Sequence, residues 1–405
     1  MNNKKCIVYI APEIPGLSAT FVYNEIIALE KKGYHILPVS IHLPTNLAID
    51  KELLTDRTHY LYQDGFVVFL ISFLKILFIE PKSLVKVLSW FTHDFLEVGL
   101  FRKDAWKLFF HLLAACRLVK ILGNKRCEHI HIHFSDVPTQ IGMYVSAITG
   151  IPFSVTSHAN DIFEHGRLLA NKAKRANCFA TISEYNRDYL ISKGVPAEKI
   201  ALVRCAVNFE KVDEKAINKD KQYYRIGSLG RLVEKKGMSI LIQAVRIVLD
   251  KRYNIELIIA GDGPDRKNLQ MLVNELGIEN SVNFIGAIPN INVSTWLNDL
   301  DIFVLACKKD SRGDMDGIPV ALMEAMSQGV PVISTRISGI PELIKHKDTG
   351  LLAEPDDPVN LADLIIELIN NPVLSNKLSE KGLEYVFSEF GEKTNIERLE
   401  HCFQK

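Results

Sequence analysis

The chain has 405 residues, and 48 Lys and Arg balance 48 Asp and Glu to a formal net charge of zero. That length exceeds one ordinary core and points to two domains, while 47% hydrophobic and 24% charged residues mark a globular protein. The balanced charge lacks the basic signature of a nucleic-acid binder, and the seven scattered cysteines, none in a Cys-x-x-Cys pair, read as reduced thiols of a cytoplasmic protein.

The N-terminus, MNNKKCIVYIAPE, has too short an apolar run for a signal peptide and reads as a first strand, Lys5 to Ala11. A loop containing Gly16 and Ser18 leads into a helix from about Phe21 to Lys32, and Tyr34 to Ile41 reads as a second strand. This is the opening of a nucleotide-type α/β domain, although the glycine spacing does not match Gly-x-Gly-x-x-Gly. The region from Asp50 to Leu122 reads as mostly helical. Its apolar segment Phe66 to Ile79 has fourteen residues with Lys75 inside, short of the ~20 that cross a bilayer. Phe and Trp residues mix there with Lys75, Lys82, Lys86, Arg102, Lys103 and Lys107. Such a surface suits a membrane interface. The plainer reading is a helical layer packed on the sheet, and different faces can serve both.

His129, His131 and His133 alternate on a strand and so share one face. That spacing can hold a metal, but no further ligand or carboxylate is evident nearby, so no metal is expected. His133, at the strand end, is instead an acceptor-side candidate. After a helix to Thr149 and a strand from Phe153 to Ser157, the segment SHAND sets His158 and Asp161 in a loop beyond a strand end, where ligands bind in open α/β sheets. Asp161 is the second acceptor-side candidate. Cys178 to Ile182 and Ile200 to Arg204 complete the first domain, and the polar, lysine-rich stretch from Asn208 to Gln222 reads as a linker.

A fresh strand, Tyr224 to Leu229, opens a second α/β domain. It runs into GRLVEKKG, which offers Arg231 and Lys236 on a glycine-flanked turn. The strand Ile255 to Ala260 ends in GDGP, a tight turn that lets a flat base approach the backbone. The stretch RGDMDGIPVALMEAMSQGVPVIST follows the strand Asp301 to Leu305. It sets Asp316 on a loop at a helix mouth and Glu324 about two turns down that helix. The free N–H groups of a helix N-terminus seat phosphate, and carboxylates beside such a seat suit sugar hydroxyls. Together these features suggest a nucleotide-sugar site. The remainder, to Gln404, reads as helical.

The segments GSLGRLVEKKG, IAGDGP, VNFIGAIP, DIFVLACKKD, GIPVALMEAMSQGVPVISTRISGIPELI and TGLL carry a family resemblance, supported by SHANDIF and APEIPGLSATFVYNEI in the first half. They resemble the retaining glycosyltransferases of the GT-B fold, family 4. They are most similar to the branch that builds exopolysaccharide, colanic-acid-type or lipopolysaccharide units. The resemblance implies an α/β protein with two Rossmann-like domains facing across a cleft. The acceptor domain would span 1–207 with a helical insertion at about 50–122. A linker at 208–223 and a donor domain at 224–385 would follow, with a helix in 386–405 crossing back.

The implied reaction moves a hexose from a UDP-sugar or GDP-sugar, UDP favoured, to a lipid-linked or oligosaccharide acceptor. It needs no metal or other cofactor; Asp314-Met315-Asp316 has a metal-binding pattern by letters, but Asp316 is already accounted for. Arg231 and Lys236 match the donor-diphosphate pair, Glu324 the carboxylate on the ribose, and Asp316 the carboxylate on the donor sugar. The family usually has Glu where Asp316 stands, a departure that bears on sugar identity. His158 matches the histidine near the reacting centre, and Gly16 the loop that approaches the diphosphate. Gly230, Gly261, Gly263, Pro264, Ile288, Gly317, Ile318 and Pro319 complete the implied donor site. The implied location is cytoplasmic, at the inner membrane face through helices in 66–120, with no nucleic-acid partner. A non-catalytic sugar-nucleotide-binding partner of the same fold is the alternative, and a sugar-nucleotide epimerase is a weaker one that lacks this lysine turn and carboxylate pair.

Overall fold

The computed structural model describes residues 5–16, 20–44, 52–79, 81–123, 125–205 and 223–404. They form two compact units: residues 1–182, 186–206 and 395–405 make one, and 183–185 with 207–394 the other.

The first unit is built on a parallel sheet of β1 (Cys6–Ala11), β2 (His35–Ser40), β3 (His59–Tyr60), β4 (His129–His133), β5 (Phe153–Ser157), β6 (Cys178–Thr181) and β7 (Ile200–Leu202). The spatial order is β3-β2-β1-β4-β5-β6-β7. A parallel sheet is covered on both faces, so its strands are apolar on both sides. In β1, Val8 and Ile10 enter the core on one face, and Ile7, Tyr9 and Ala11 enter the core on the other. The first of these cores packs under the insertion helices Gly65–Ile79, Pro81–Val98 and Lys103–Leu122. The second packs under the Thr20–Lys31 helix and the C-terminal helix Glu392–Gln404, which supplies Ile396, Leu399 and Cys402.

The second unit repeats the plan with β8 (Tyr224–Leu229), β9 (Ile255–Ala260), β10 (Val282–Gly286), β11 (Ile302–Val304), β12 (Val332–Thr335) and β13 (Leu351–Ala353), in the order β10-β9-β8-β11-β12-β13. Both sheets reverse direction of growth once, between β1 and β4 and between β8 and β11. A crevice opens beyond the carboxyl ends of the strands at such a point, and ligands bind there.

Several sequence expectations change. The two-residue β3 and three-residue β13 are too short to show a period and were not anticipated. A 3-10 turn, Leu61–Asp64, precedes the apolar run, and together they form a helical stretch, Leu61–Ile79, of 19 residues that is long and apolar enough to cross a membrane by length and composition. The cysteines are not all thiols. Cys178 and Cys402, 224 residues apart in sequence, are joined as a disulfide with Cα atoms 5.3 Å apart. Only the return of the last helix to β6 brings them together, so spacing gave no sign of the pair. The linker expected at 208–223 lies outside the described residues except for Tyr223.

Candidate active site

In the second unit, the loop after β8 and the loop after β11 meet at the switch point. Gly237 turns the first loop into the Met238–Asp250 helix with φ +64°, and a Cβ there would stand 1.7 Å from the Ala306 carbonyl oxygen. Only glycine permits that approach. Gly261, at φ +133°, is pressed the same way against the Gly230 carbonyl oxygen, 1.9 Å from where its Cβ would lie. The GDGP turn is thus tight because the Gly230–Leu232 backbone packs on it, and Leu232 N–H donates to the Asp262 carbonyl at 2.9 Å. Gly263 abuts Leu232, Pro264 follows in the turn before the Arg266–Glu275 helix, and Ile288 lies half-buried just after β10.

These loops assemble a charge cluster. Lys236 Nζ lies 2.7 Å from Asp316 Oδ2, and Lys235 Nζ lies 2.7 Å from Asp314 Oδ2 and 3.5 Å from Asp316 Oδ1. Burial pushes the Asp316 carboxyl up, but the two ammoniums beside it more than offset that and hold it below the usual carboxylate range. Burial likewise opposes the charge of Lys236, yet Asp316 keeps its pKa above the ordinary value. Arg231 is exposed and has no ion pair among the described residues. Gly317, Ile318 and Pro319 are buried and lead into the Val320–Ser327 helix, with Pro319 at its N-cap. Glu324 is the fifth residue of that helix, about one turn in and not two. Burial, with no ammonium to offset it, pushes its carboxyl up to about 7. The sequence missed Lys235 and Asp314 as partners in this cluster; the doubled lysine and the Asp-x-Asp spacing were the available signals.

In the first unit, the candidates gather beneath the other switch point. His133 ends β4 and is buried. Its Nε2 lies 3.0 Å from Glu25 Oε1 and 3.0 Å from the Tyr9 hydroxyl, and its Nδ1 lies 3.1 Å from His158 Nε2. His158 follows β5, only 6% exposed, with its ring against Phe21 and Phe134. Desolvation holds its pKa well below the ordinary histidine value. Asp161 is fully buried. Its two carboxylate oxygens accept from the backbone N–H of Ser135 and of His158, at 2.6 and 2.8 Å. Gly16 lies buried at the end of the loop after β1.

His133 and Asp161, the expected acceptor-side groups, are both buried: one links Glu25 to His158, the other ties the two loop backbones together. One expectation is corrected: the histidines do have a carboxylate beside them. Glu25 comes from the Thr20–Lys31 helix, about a hundred residues away in sequence, and its ligand atom lies within 4.8 Å of those of His131 and His133. That spacing is one a metal ion could use, but hydrogen bonds already engage the group: His131 meets Ser154 at 2.8 Å and Thr156 at 3.2 Å.

Comparison with known proteins bears on this arrangement. Residues 209–385 match the family model described as glycosyl transferases group 1, and residues 81–211 match that of glycosyltransferase family 4. The amylovoran biosynthesis glycosyltransferase AmsK of Erwinia amylovora is 30% identical over 376 residues, 89% of this chain and 90% of its own. A Salmonella typhimurium protein provisionally named as the colanic acid biosynthesis glycosyltransferase WcaL is 32% identical, covering 97% of this chain and 98% of its own. Among solved structures, Anabaena Alr3699/HepE in complex with UDP has the same GT-B fold, with TM-score 0.72 over 99% of both chains at 16% identity.

Proposed function

The chain belongs to the group 1 glycosyltransferases, and from that membership we propose that it transfers a hexose, with retention and without a metal, from a nucleotide-diphosphate sugar to an acceptor in exopolysaccharide biosynthesis. The observation that carries the reading is the pair Lys235 and Lys236 held on Asp316 at the β8/β11 switch point. The leaving nucleoside diphosphate gains negative charge as the glycosidic bond breaks. Fixed cations in a partly buried site stabilise that charge without reorganising. Arg231, unpaired in the described structure, is the cation most available to it, and Lys236 is held in place by Asp316. Glu324 would take the ribose hydroxyls and Asp316 a donor-sugar hydroxyl. His158 would be the first unit's contact with a bound sugar. Attack and departure on one face, with a diphosphate oxygen accepting the acceptor proton, leaves positioning as the main remaining task.

The exopolysaccharide assignment is supported by the AmsK and WcaL similarities, and UDP is proposed over GDP as the donor nucleotide. A lipid-linked acceptor at the inner membrane face is supported by the insertion helices, which expose Phe78 at 79%, Phe101 at 100% and Trp106 at 65%. The deciding experiment is thermal stabilisation by UDP, GDP and their sugars, with no divalent metal added, for wild type, Arg231→Ala and Lys236→Ala. A ligand at ~100 times its dissociation constant adds ~2.7 kcal/mol to the folded state. One nucleotide should stabilise wild type and lose most of that effect in both variants. If no nucleotide stabilises wild type, with or without metal, the donor-site assignment fails.

A further inference from the structure

The first unit contains a continuous hydrogen-bonded chain from a helix carboxylate to the histidine at the crevice: Glu25 Oε1 to His133 Nε2 at 3.0 Å, then His133 Nδ1 to His158 Nε2 at 3.1 Å. Each link constrains the next. A carboxylate near Nε2 can only accept, so His133 carries its proton on Nε2 and directs it at Glu25. Its Nδ1 then holds a lone pair. The neighbouring His158 Nε2 must donate to that lone pair, which leaves His158 Nδ1 without a proton. We propose that Glu25 and His133 are positioning residues that fix the tautomer of His158, so that its Nδ1 accepts a hydrogen bond from a hydroxyl of the bound sugar.

The surroundings support a built arrangement. Tyr9, from β1, also lies 3.0 Å from His133 Nε2. Were Glu25 absent, its hydroxyl could donate to that nitrogen and reverse the whole chain. Glu25 is therefore the group that sets the direction. The backbone of His158 is held by Asp161, and its ring lies within 18° of the plane of the His133 ring with centroids 5.4 Å apart, as an in-plane N–H···N bond requires. The atom facing His158 Nδ1 is Cys205 Sγ at 3.9 Å. A thiol is a weak donor, and a sugar hydroxyl would readily replace it. The chain runs from the Thr20–Lys31 helix through the end of β4, at the switch point, to the loop after β5, with no residue of the second unit involved.

The inference rests on the proposed contact of His158 with a bound sugar, but its test separates the two. Nitrogen spectra of protein labelled with 15N-histidine report the tautomer of each ring, with the His158 signals assigned by their loss in His158→Gln. Wild type should show His158 protonated on Nε2. Glu25→Met, close in length but unable to accept, should move that proton to Nδ1, whereas Tyr9→Phe should leave it in place. If wild type transfers sugar, Glu25→Met should lower kcat on the order of 10²-fold or more, with donor KM within about threefold. A wild-type His158 protonated on Nδ1, or a Glu25→Met variant with unchanged tautomer and kcat, overturns the proposal. So does stoichiometric zinc that is lost on replacing Glu25, because the metal would occupy the place of the His133 proton. If wild type transfers no sugar at all but the tautomers are as stated, the functional reading fails and the relay stands.

Discussion

The sharpest contrast between residues of one kind is that between Asp316 and Glu324. Both are carboxylates beside the same helix mouth, eight residues apart. Two lysines hold the first ionised, while burial alone pushes the second up to about 7. The signs of the two consequences follow. An acid with a raised folded-state pKa stabilises the fold below its unfolded value, and that contribution is lost as pH rises through about 7. In its proposed role as a hydroxyl acceptor the dependence runs the other way, because only the ionised form would accept from both ribose hydroxyls. Affinity for UDP-glucose, which has no phosphate group titrating in this range, should therefore rise between pH 6 and pH 8 with release of a proton. Calorimetry in buffers of different ionisation enthalpy should detect that proton. Glu324→Gln should bind more weakly at pH 8 and lose the pH dependence; an unchanged profile would remove Glu324 from the site. None of this difference was legible in the letters, which give two acids and no environment.

At the scale of elements, the insertion helices carry the next prediction. The Gly65–Ile79 helix buries only Phe69, Ser72 and Ile76, and the Pro81–Val98 helix only Leu84, Val87 and Asp94. Phe73, Trp90 and Phe91 also pack against the core, but many of the other apolar residues face outward, among them Val67, Ile71, Phe78, Ile79 and Val85, with Phe101 and Trp106 nearby. An apolar surface this extensive, bordered by Lys75, Lys82, Lys86 and Lys103, matches an interface that meets acyl chains and anionic headgroups. The protein should float with vesicles containing anionic lipid, and less so at high salt. The double variant Phe78→Asp, Phe101→Asp should stay with the soluble fraction yet keep its nucleotide affinity. Equal flotation of the variant would assign the surface to another partner. The aromatic and basic composition was readable from the sequence. The exposed side of each helix was not, because it is fixed by which residues the sheet claims.

At the scale of the whole molecule, the chain ends where it began. The Glu392–Gln404 helix lies on the first unit, where Asn395 accepts from Arg204 N–H at 3.0 Å and Glu400 accepts from the Tyr34 hydroxyl at 3.1 Å. Phe403 packs on His129 and His131, with centroids 5.1 and 5.3 Å away. Leu399 is fully buried among Ile26, Leu29 and their neighbours. Leu399→Ala should therefore destabilise the first unit by roughly 2–5 kcal/mol, seen in denaturant unfolding, although the residue is remote in sequence from that unit's strands. Nucleotide affinity, a property of the second unit, should hardly change. A loss of nucleotide binding instead of first-unit stability would contradict this division of labour.

The sequence by itself determined most of the strands and the family. Buried parallel strands tend to be nearly continuous apolar runs, and β1, β9 and β11 fall where such runs lie. The glycines at 237 and 261 were also readable, since backbone contact leaves no other residue tolerable there. The tertiary structure alone decided the partners. Glu25 meets His133 across 108 positions, Lys235 meets Asp314 across 79, and Cys178 meets Cys402 across 224. Periodicity reports the face on which a side chain stands, because it arises from local backbone geometry. The identity of the group opposite depends on strand order and helix return, which no local pattern encodes.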